Sequence, residues 1–353
     1  MELKELIMNR PMWLTSSERE GSEHIVLSAD ISIERNLADY PFPSKASIFQ
    51  KEEIFNKLKS AVVKSGLFGK EPLSIDLSEV SDIAKTLLFE RDFFSINTVK
   101  SNGSRGLFAT DQGALLLING ENHIRLSKQV DPSKIAQTWR ELDTLDTTLG
   151  REVKYAFNSH NGFLLNRPEM SGIGLTITYT VHIPALVHTG ALEQVLSGVA
   201  QLGMRSEGKF RSGGDAWGSL FLIQASIFTG DTEEELINNA EKILSSIVEQ
   251  ELKAREVLFK DAKMEMLDKI WRSYGVLRYA RMVSVPQLIN LTSTLRLGIE
   301  RGVKVKELTL SHIDAMIASA LQGSVALLMD GDASNGEELD IQRAEIIRTL
   351  LDT

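Results

Sequence analysis

Residues 24–36 read HIVLSADISIERN, a run in which apolar and polar side chains alternate over most of the length. A period of two places successive side chains on opposite faces, so this run predicts a β-strand with one face in the core. GALLLING (Gly113–Gly120) ends in Asn-Gly, a hairpin signal that makes HIRLS, which follows after two residues, the returning strand. GLTITYTVHIPAL (Gly174–Leu186) is rich in β-branched and aromatic residues and predicts a buried strand.

Helical periodicity becomes dominant from Thr232 onward. Apolar side chains recur at helical spacing from Glu233 to about Tyr274, and the glutamates that open this run suit a helix N-terminus. Shorter amphipathic segments predict further helices at Glu52–Lys64, Pro286–Arg301, Ser311–Leu321 and Glu337–Leu351. The pattern therefore indicates a β-rich middle followed by a helical C-terminal third.

These patterns divide the chain into three predicted segments. Residues 1–22 are polar and form an N-terminal extension, which we interpret as a helical tag and a mobile linker. Residues 23–255 form an α/β domain of the catalytic type, and residues 256–353 form a helical C-terminal domain.

Composition excludes several classes of protein. The 353 residues contain no Cys, which rules out disulfides, thiolate metal sites and a cysteine nucleophile. Asp and Glu total 48 against 39 Lys and Arg, a net charge of −9 that disfavours a nucleic-acid surface. The N-terminus does not read as a signal peptide, and no apolar run reaches the ~20 residues of a membrane span. We therefore expect a cytoplasmic protein without nucleic-acid or membrane partners.

Common catalytic motifs are absent from the sequence. It contains no Walker loop, no GxGxxG after a strand, no HExxH and no GxSxG. None of the six histidines pairs with another at metal-ligand spacing, so no metal site is predicted. His182 is expected to be a hydrogen-bonded core histidine, and the pair Gly213-Gly214 a tight turn before an apolar strand.

Several segments nevertheless carry a family resemblance. IVLSADISIERN (25–36) resembles a family stretch that reads IVLSSRIRLARN, and INGENHIRL (118–126) resembles INEEDHIRI. YAFNSHNGFLLNRPEMSGIGLTITYTVHIPAL (155–186) and LDIQRAEIIR (339–348) match a central segment and the terminal RDxxRA motif. Together they resemble the bacterial protein-arginine kinases of the ATP:guanidino phosphotransferase (phosphagen kinase) family, in one order and with similar spacing.

The resemblance implies a fold, a reaction and partners. The implied fold is α+β, a guanidino-kinase (glutamine-synthetase-like) catalytic fold with an antiparallel β-sheet flanked by helices and a helical C-terminal domain. The implied reaction transfers phosphate from ATP, with Mg²⁺, to arginine side chains of proteins. Implied partners are a zinc-binding activator, a Clp-type unfoldase, an active arginine kinase, or a second copy in a homodimer.

The resemblance also implies a nucleotide site, because the family holds ATP phosphates in a clamp of arginines. Arg125 is retained at a clamp position, and Arg91 is retained beside the position of a histidine that lies near adenine. The positions that have changed from the family pattern are Asp30, Ser32, Thr176 and Glu207, each in place of a clamp arginine, and Asp92, in place of the histidine.

On the substrate side, Glu121 keeps the position of a family glutamate that orients the guanidinium. Arg167 replaces a substrate-contacting cysteine, and Ser212 replaces the glutamate that ends RGxxGE. In the terminal motif, Asp340 and Arg343 match a phosphoarginine-responsive region, although its leading arginine is Leu here. A purely structural role for Glu121 and for the retained clamp arginine, paired across the turn, is an open alternative.

Charge reversal in a phosphate clamp has a large physical effect. At ~4 Å and an effective dielectric near 20, each Arg-to-acid exchange turns a contact from about −4 to about +4 kcal/mol before screening. We therefore interpret the chain as a degenerate, catalytically inactive member of the family, a pseudokinase with a regulatory or partner-binding role. The alternatives are an active kinase whose clamp is rebuilt from Arg167, Lys209 or Arg211, and a phosphoarginine-binding module.

Overall fold

The computed structural model describes residues 10–15, 24–66, 68, 73–94, 103, 105–110, 113–212, 215–226, 232–329 and 336–352. The helices are α1 (Ile48–Ser65), α2 (Asp82–Glu90), α3 (Ile135–Glu152), α4 (Pro184–His188), α5 (Leu192–Gln201), α6 (Glu233–Asp261), α7 (Lys263–Tyr279), α8 (Val285–Glu300), α9 (Leu310–Ala320), α10 (Gln322–Leu328) and α11 (Gly336–Asp352). In the described part of the chain, no helix is long and apolar enough to cross a bilayer.

The strands form one large sheet and two small hairpins. The strands are β1 (Val26–Arg35), β2 (Leu73–Asp76), β3 (Gly106–Ala109), β4 (Leu115–Ile118), β5 (Ile124–Val130), β6 (Phe157–Asn158), β7 (Gly162–Phe163), β8 (Leu175–His182), β9 (Arg205–Gly208), β10 (Arg211–Ser212), β11 (Asp215–Ala216) and β12 (Leu220–Ser226). The large sheet has the order β2-β3-β4-β5-β1-β8-β12-β9, and its pairs from β2 to β1 are antiparallel. The predicted antiparallel sheet with flanking helices is confirmed.

Contacts divide the chain into two compact units, and the division runs through strands β1, β8 and β12. Unit 1 includes Ala29–Thr178 and Gln224–Ala240. Unit 2 includes Arg10–Ser28, Tyr179–Ile223 and Glu241–Thr353. The predicted boundary between residues 255 and 256 falls inside helix α6.

Unit 1 packs helices onto its part of the sheet. Helix α1 begins with a capping box, in which Ser47 and Gln50 bond each other's backbone N–H groups, and it ends at Gly66 with φ 66°. Helix α2 buries Leu87 and Leu88 against β3 and β4, where Leu107 and other apolar side chains complete a core cluster. This packing holds β3 and β4 in place beside β5, one of the strands that carry the candidate site.

Unit 2 is built around the C-terminal helices. Helices α7, α8, α9 and α11 share one apolar cluster with the start of β12. Trp13 and Leu14, in a short 3-10 turn, are almost fully buried in the same cluster, and the Trp13 ring lies 5.7 Å from that of Phe210. The extension was predicted to be a tag and linker; residues 10–15 instead belong to a core, and residues 1–9 and 16–22 lie outside the described residues.

A buried ionic network joins helices within unit 2. Arg255 is fully buried and lies between Glu251, at 2.8 Å, and Glu300, at 2.9 Å. Glu251 also accepts the backbone N–H groups that open α4, and Arg296 pairs with Asp314. Burial raises the pKa of Glu251 and that of Glu300, while the Arg255 guanidinium opposes the rise for both carboxyls. The network pairs each buried carboxylate with a guanidinium, although Oε1 of Glu300 has no hydrogen-bond partner and lies 3.9 Å from Nη1 of Arg296.

The predicted core histidine is confirmed. His182 is 1% exposed, and its Nε2 lies 2.8 Å from the hydroxyl of Ser293. Burial, together with the nearby Arg255 and Arg296 guanidiniums, lowers its pKa well below the ordinary value, so the imidazole is neutral.

The helix predictions were confirmed in place but not at every end. The run from Glu233 is two helices rather than one, because Ala262 takes non-helical angles (φ −121°, ψ 30°) between α6 and α7. The predicted hairpin after β4 is confirmed, with β5 beginning at Ile124, one residue later than predicted; Asn119, the first residue of the five-residue connection, has φ 57°. Helices α2, α3, α5 and α10 were not predicted, and α4 takes up the end of the run Gly174–Leu186, which was predicted to be a strand.

Candidate functional site

The candidate site lies on the polar face of strands β1, β5 and β8 in unit 1. In the register of β1 and β5, Glu34 stands opposite Arg125 and Ser32 opposite Ser127. Because side chains alternate along a strand, Asp30, Ser32 and Glu34 share one face, while the isoleucines between them point into the core. The same alternation brings these polar groups beside Arg125.

Arg125 is held by acids of the neighbouring strand. Its Nη2 lies 2.5 Å from Oδ1 of Asp30, and its Nε lies 3.8 Å from Oε1 of Glu34. Its Nη1 donates to the hydroxyl of Ser127 at 3.1 Å. All three guanidinium nitrogens therefore have a partner within the sheet, and both carboxylates are largely buried with it.

Glu34 has a second partner. The side-chain amide of Asn122 donates to its Oε2 at 2.6 Å, and Asn36 donates to the carbonyl oxygen of Asn122 at 2.7 Å. Burial raises the pKa of Glu34, whereas the Arg125 guanidinium lowers it. The side-chain amides of Asn36 and Asn122 thus fix the orientation of the Glu34 carboxylate towards Arg125.

His123 anchors the loop that carries Asn122. Its Nδ1 accepts the backbone N–H of Leu37 at 3.0 Å, and its Nε2 lies 3.1 Å from the carbonyl oxygen of Pro41. The second contact requires Nε2 to carry the proton, so the neutral Nε2–H tautomer fits both bonds. Burial lowers the pKa of His123 to about 4, which keeps this tautomer neutral near pH 7.

Glu121 and Arg167 form a further ion pair of the site, separate from those of Arg125. Nη2 of Arg167 lies 2.8 Å from Oε2 of Glu121, with 48% of the arginine side chain and 31% of the glutamate side chain exposed. The retained glutamate and the arginine that replaces a family cysteine therefore neutralise each other. An exposed pair of this kind contributes little to stability, about 0–1 kcal/mol.

These groups surround a small cavity. Its volume is about 90 Å³. The lining residues are Ser32, Glu34, Glu121, Asn122, Arg125, Arg167, Met170, Thr176, Thr178 and Gln224. The structure thus brings Glu121, Arg125, Arg167, Ser32 and Thr176 together, as the resemblance implies.

The donor set does not fit a nucleotide phosphate with its Mg²⁺. Three carboxylates, those of Asp30, Glu34 and Glu121, face two guanidiniums, those of Arg125 and Arg167. The clamp positions 32 and 176 carry hydroxyls, which supply no charge to a polyphosphate. Within the described ranges, no three acidic or histidine side chains converge to hold a metal ion.

Arg91 lies at the end of α2 in unit 1. It is 6% exposed, its carbonyl oxygen accepts from the side-chain amide of Gln129 at 2.8 Å, and burial lowers its pKa against the opposing effect of Glu90 and Asp92. Asp92 takes φ 61°, a left-handed angle that aspartate tolerates better than most residues. The described residues that line the cavity do not include Arg91 or Asp92.

Two further predicted site residues lie in unit 2. Glu207 is exposed in strand β9. Ser212 lies in strand β10, and its side chain is outside the described part of the structure. The pair Gly213-Gly214 lies outside the described residues as well.

The terminal-motif residues are used inside unit 2. Arg343 is 1% exposed; its Nε donates to the carbonyl oxygen of Ala320 at 2.7 Å and its Nη1 to that of Val283 at 2.8 Å. The same Nη1 pairs with the carboxylate of Asp340. This guanidinium joins α11 to the end of α9 and to the segment before α8, which is a structural role.

Glu34 and Asn122 are the site residues that sequence reasoning missed. Glu34 replaces an alanine of the family pattern, and Asn122 replaces its aspartate. The period of two could have found Glu34, because it falls on the face of Asp30 and Ser32. Its distance to Arg125 depends on the register between β1 and β5, two strands that lie far apart in the sequence and that no hairpin connects.

Comparison with known proteins supports the resemblance along the whole chain. Residues 53–254 match the ATP:guanido phosphotransferase C-terminal catalytic domain, and residues 263–353 match the protein-arginine kinase McsB C-terminal domain. A protein-arginine kinase of Halothermothrix orenii is 30% identical over 99% of both chains. One of Clostridium novyi is 31% identical over 93% of this chain and 95% of its own.

Solved structures agree on the fold. The duplicated taurocyamine kinase of Schistosoma mansoni matches with a TM-score of 0.58 at 20% identity, over 72% of this chain and 36% of that one. A lombricine kinase matches with a TM-score of 0.53 at 19% identity, over 70% of this chain and 72% of its own. Both matches concern the guanidino-kinase fold alone. By its domains and its full-length relatives, the chain belongs to the ATP:guanido phosphotransferase family, among its protein-arginine kinase-like members.

Proposed function

We propose that this chain is a catalytically silent member of the protein-arginine kinase group that acts by binding a protein partner. The observation that carries the proposal is the 2.5 Å ion pair between Arg125 and Asp30, which engages the clamp arginine that the cavity retains. Arginines that stabilise transferring phosphoryl groups are worth about 10³-fold or more in rate. An arginine already neutralised by a neighbouring carboxylate offers little of that stabilisation to a phosphate.

The rest of the cavity supports the same proposal. Phosphoryl transfer depends on positioning and on positive charge around the developing transition state. Here Ser32 and Thr176 supply hydroxyls at two clamp positions, and Arg167 is paired with Glu121 at 2.8 Å. Each guanidinium of the cavity therefore has an acidic partner from the chain itself.

A phosphotransfer assay tests the proposal. The purified chain is incubated with labelled Mg·ATP and an arginine-rich protein, at a sensitivity of about one turnover per hour. The protein-arginine kinase of Bacillus subtilis, 28% identical over 99% of this chain, is the positive control. We expect no transfer above background. Transfer that disappears in the variant Arg125→Ala would instead establish the active kinase with a rearranged clamp.

Two of the three residues offered for a rearranged clamp have other partners. Arg167 pairs with Glu121. The Nζ atom of Lys209 lies 5.1 Å from the ring centroid of Trp13, in a cation–π contact within unit 2. The side chain of Arg211 lies outside what the structure describes. These contacts favour the silent member over the active kinase.

The phosphoarginine-binding module has less support. The guanidinium of Arg343, which would bind the phosphoarginine, already donates to two backbone carbonyls and pairs with Asp340. A phosphoarginine peptide that binds, and stops binding in a correctly folded Arg343→Lys variant, would favour this alternative.

The partner and the compartment remain part of the proposal. The family resemblance suggests a zinc-binding activator, a Clp-type unfoldase, an active arginine kinase or a second copy of this chain, acting in the cytoplasm. Sedimentation of the purified chain, alone and mixed with each candidate, tests these partners one at a time. A sedimentation coefficient that stays the same in a mixture removes that candidate.

A further inference from the structure

We infer that Asp30 and Glu34 determine the charge specificity of the cavity: their carboxylates occupy Arg125 in place of an anionic ligand, and neutralising both creates a phosphate-binding site. The inference deepens the proposed function and rests on it, because it treats this cavity as the altered nucleotide-phosphate site. It adds the physical device that excludes the phosphate and names a residue, Glu34, that the family pattern does not contain.

The guanidinium of Arg125 is already engaged by groups of the chain itself. Its Nη2 contacts Asp30 at 2.5 Å, its Nε faces Glu34 at 3.8 Å, and its Nη1 donates to Ser127 at 3.1 Å. A guanidinium binds a phosphate best through two parallel N–H groups on one edge. Here two of the three nitrogens already face carboxylates, so a phosphate must displace them or approach against their charge.

Hydrogen bonds hold the carboxylate of Glu34 in place. Asn122 donates to its Oε2 at 2.6 Å, and the Asn122 carbonyl oxygen accepts both from Asn36 at 2.7 Å and from the backbone N–H of Asn166 at 2.8 Å. The carboxylate is therefore held in the cavity wall rather than free to rotate out when an anion arrives. Its side chain is 19% exposed, which limits solvent screening.

The charged groups around Arg125 have a net negative charge. With the Glu121–Arg167 pair neutral, the Asp30, Glu34 and Arg125 group carries one negative charge in excess. Replacing both acids by their amides changes this group to one positive charge without changing its shape. Ser32, Thr176 and Thr178 then remain on the cavity wall as hydroxyl donors to an anion.

The test measures inorganic pyrophosphate binding by isothermal calorimetry, with the full chain and four variants. The double variant Asp30→Asn, Glu34→Gln is expected to bind at least about tenfold more tightly than the unmodified chain, a change of about 1.4 kcal/mol. Adding Arg125→Ala to the double variant should remove the gain. The matched control Glu141→Gln neutralises an acid of similar exposure that pairs with Lys128 outside the cavity, and its gain should be less than about threefold.

Two results would overturn the inference. One is a folded double variant that binds pyrophosphate no better than the unmodified chain or the Glu141→Gln control. The other is obtained without changing either acid. It is micromolar binding of pyrophosphate by the unmodified chain, together with loss of this binding in the variant Arg125→Ala. Either result can occur without any phosphotransfer, so failure here is distinct from failure of the proposed function, which the transfer assay decides.

Discussion

Replacing Arg255 by alanine is expected to destabilise unit 2 by about 3–5 kcal/mol, the cost of breaking a buried ion pair by removing one partner. The Arg255 side chain is fully buried, and its Nε and Nη1 lie 2.8 Å from Glu251 and 2.9 Å from Glu300. The substitution leaves two buried carboxylates without their guanidinium. Burial already raises the pKa of both, so they will take up protons rather than stay charged.

A matched control exists on the neighbouring helix. Arg272 and Asp268 have the same spacing of four residues and an Nε–Oδ2 distance of 2.6 Å, but their side chains are 77% and 59% exposed. Exposed pairs of this type contribute about 0.3–0.5 kcal/mol. The variant Arg272→Ala is therefore expected to change the stability by no more than that.

Hydrogen exchange measured by mass spectrometry reports the two effects locally. Amides of helices α6 and α8 should exchange roughly 10²-fold to 4 × 10³-fold faster in Arg255→Ala, because each tenfold corresponds to about 1.4 kcal/mol of opening free energy. In Arg272→Ala the same amides should change less than about threefold. If both variants exchange alike, the buried network does not stabilise unit 2 and the reasoning fails.

Three further predictions concern the remaining buried groups. Trp13→Ala should lower the free energy of unfolding by about 3–5 kcal/mol, because the side chain is buried in the core of unit 2. The control Trp271→Ala, at a position that is 43% exposed, should lower it by less than about 1 kcal/mol. Similar denaturant midpoints for the two variants would refute the core position of the N-terminal turn. Because the pKa of His123 falls from 6.5 to about 4, the unfolded chain alone takes up this proton between those pH values. About 3 kcal/mol of stability is thus present above pH 6.5 and lost as the pH falls to 4; urea titrations should show this slope, and His123→Asn should flatten it. Arg343→Met should cost about 2–4 kcal/mol by leaving two buried carbonyls without donors, and a thermal midpoint unchanged from the parent chain would contradict that.

Much of the fold could be predicted from local periodicity. The strand at residues 24–36 and the helices near 286–301 and 337–351 are long and regular, and the structure confirms them as β1, α8 and α11. Trp13 could not be placed this way, because a three-residue turn carries no period and its burial depends on contacts with distant helices. Ala262 could not be identified from the sequence either, because alanine is common inside helices and gives no sign of the break between α6 and α7.

The candidate site was predictable only in part. The family resemblance placed Glu121 and Arg125 at one site, and both residues line the cavity. The partners of Arg125 required the register of two strands, which places Glu34 directly opposite and lets the guanidinium reach Asp30 along the sheet. Arg343 shows the opposite case: its motif suggested a ligand, whereas packing against backbone carbonyls uses the guanidinium within the core.

A calorimetric titration of the unmodified chain with Mg·ATP at moderate salt tests the central claim most directly. The claim is that Asp30 and Glu34 have replaced phosphate on Arg125. It predicts no heat of binding up to about millimolar nucleotide, the range in which binding free energy falls below about 4 kcal/mol. Saturable binding at micromolar nucleotide, lost in Arg125→Ala, would contradict it, because the guanidinium would then be exchanging its carboxylates for phosphate.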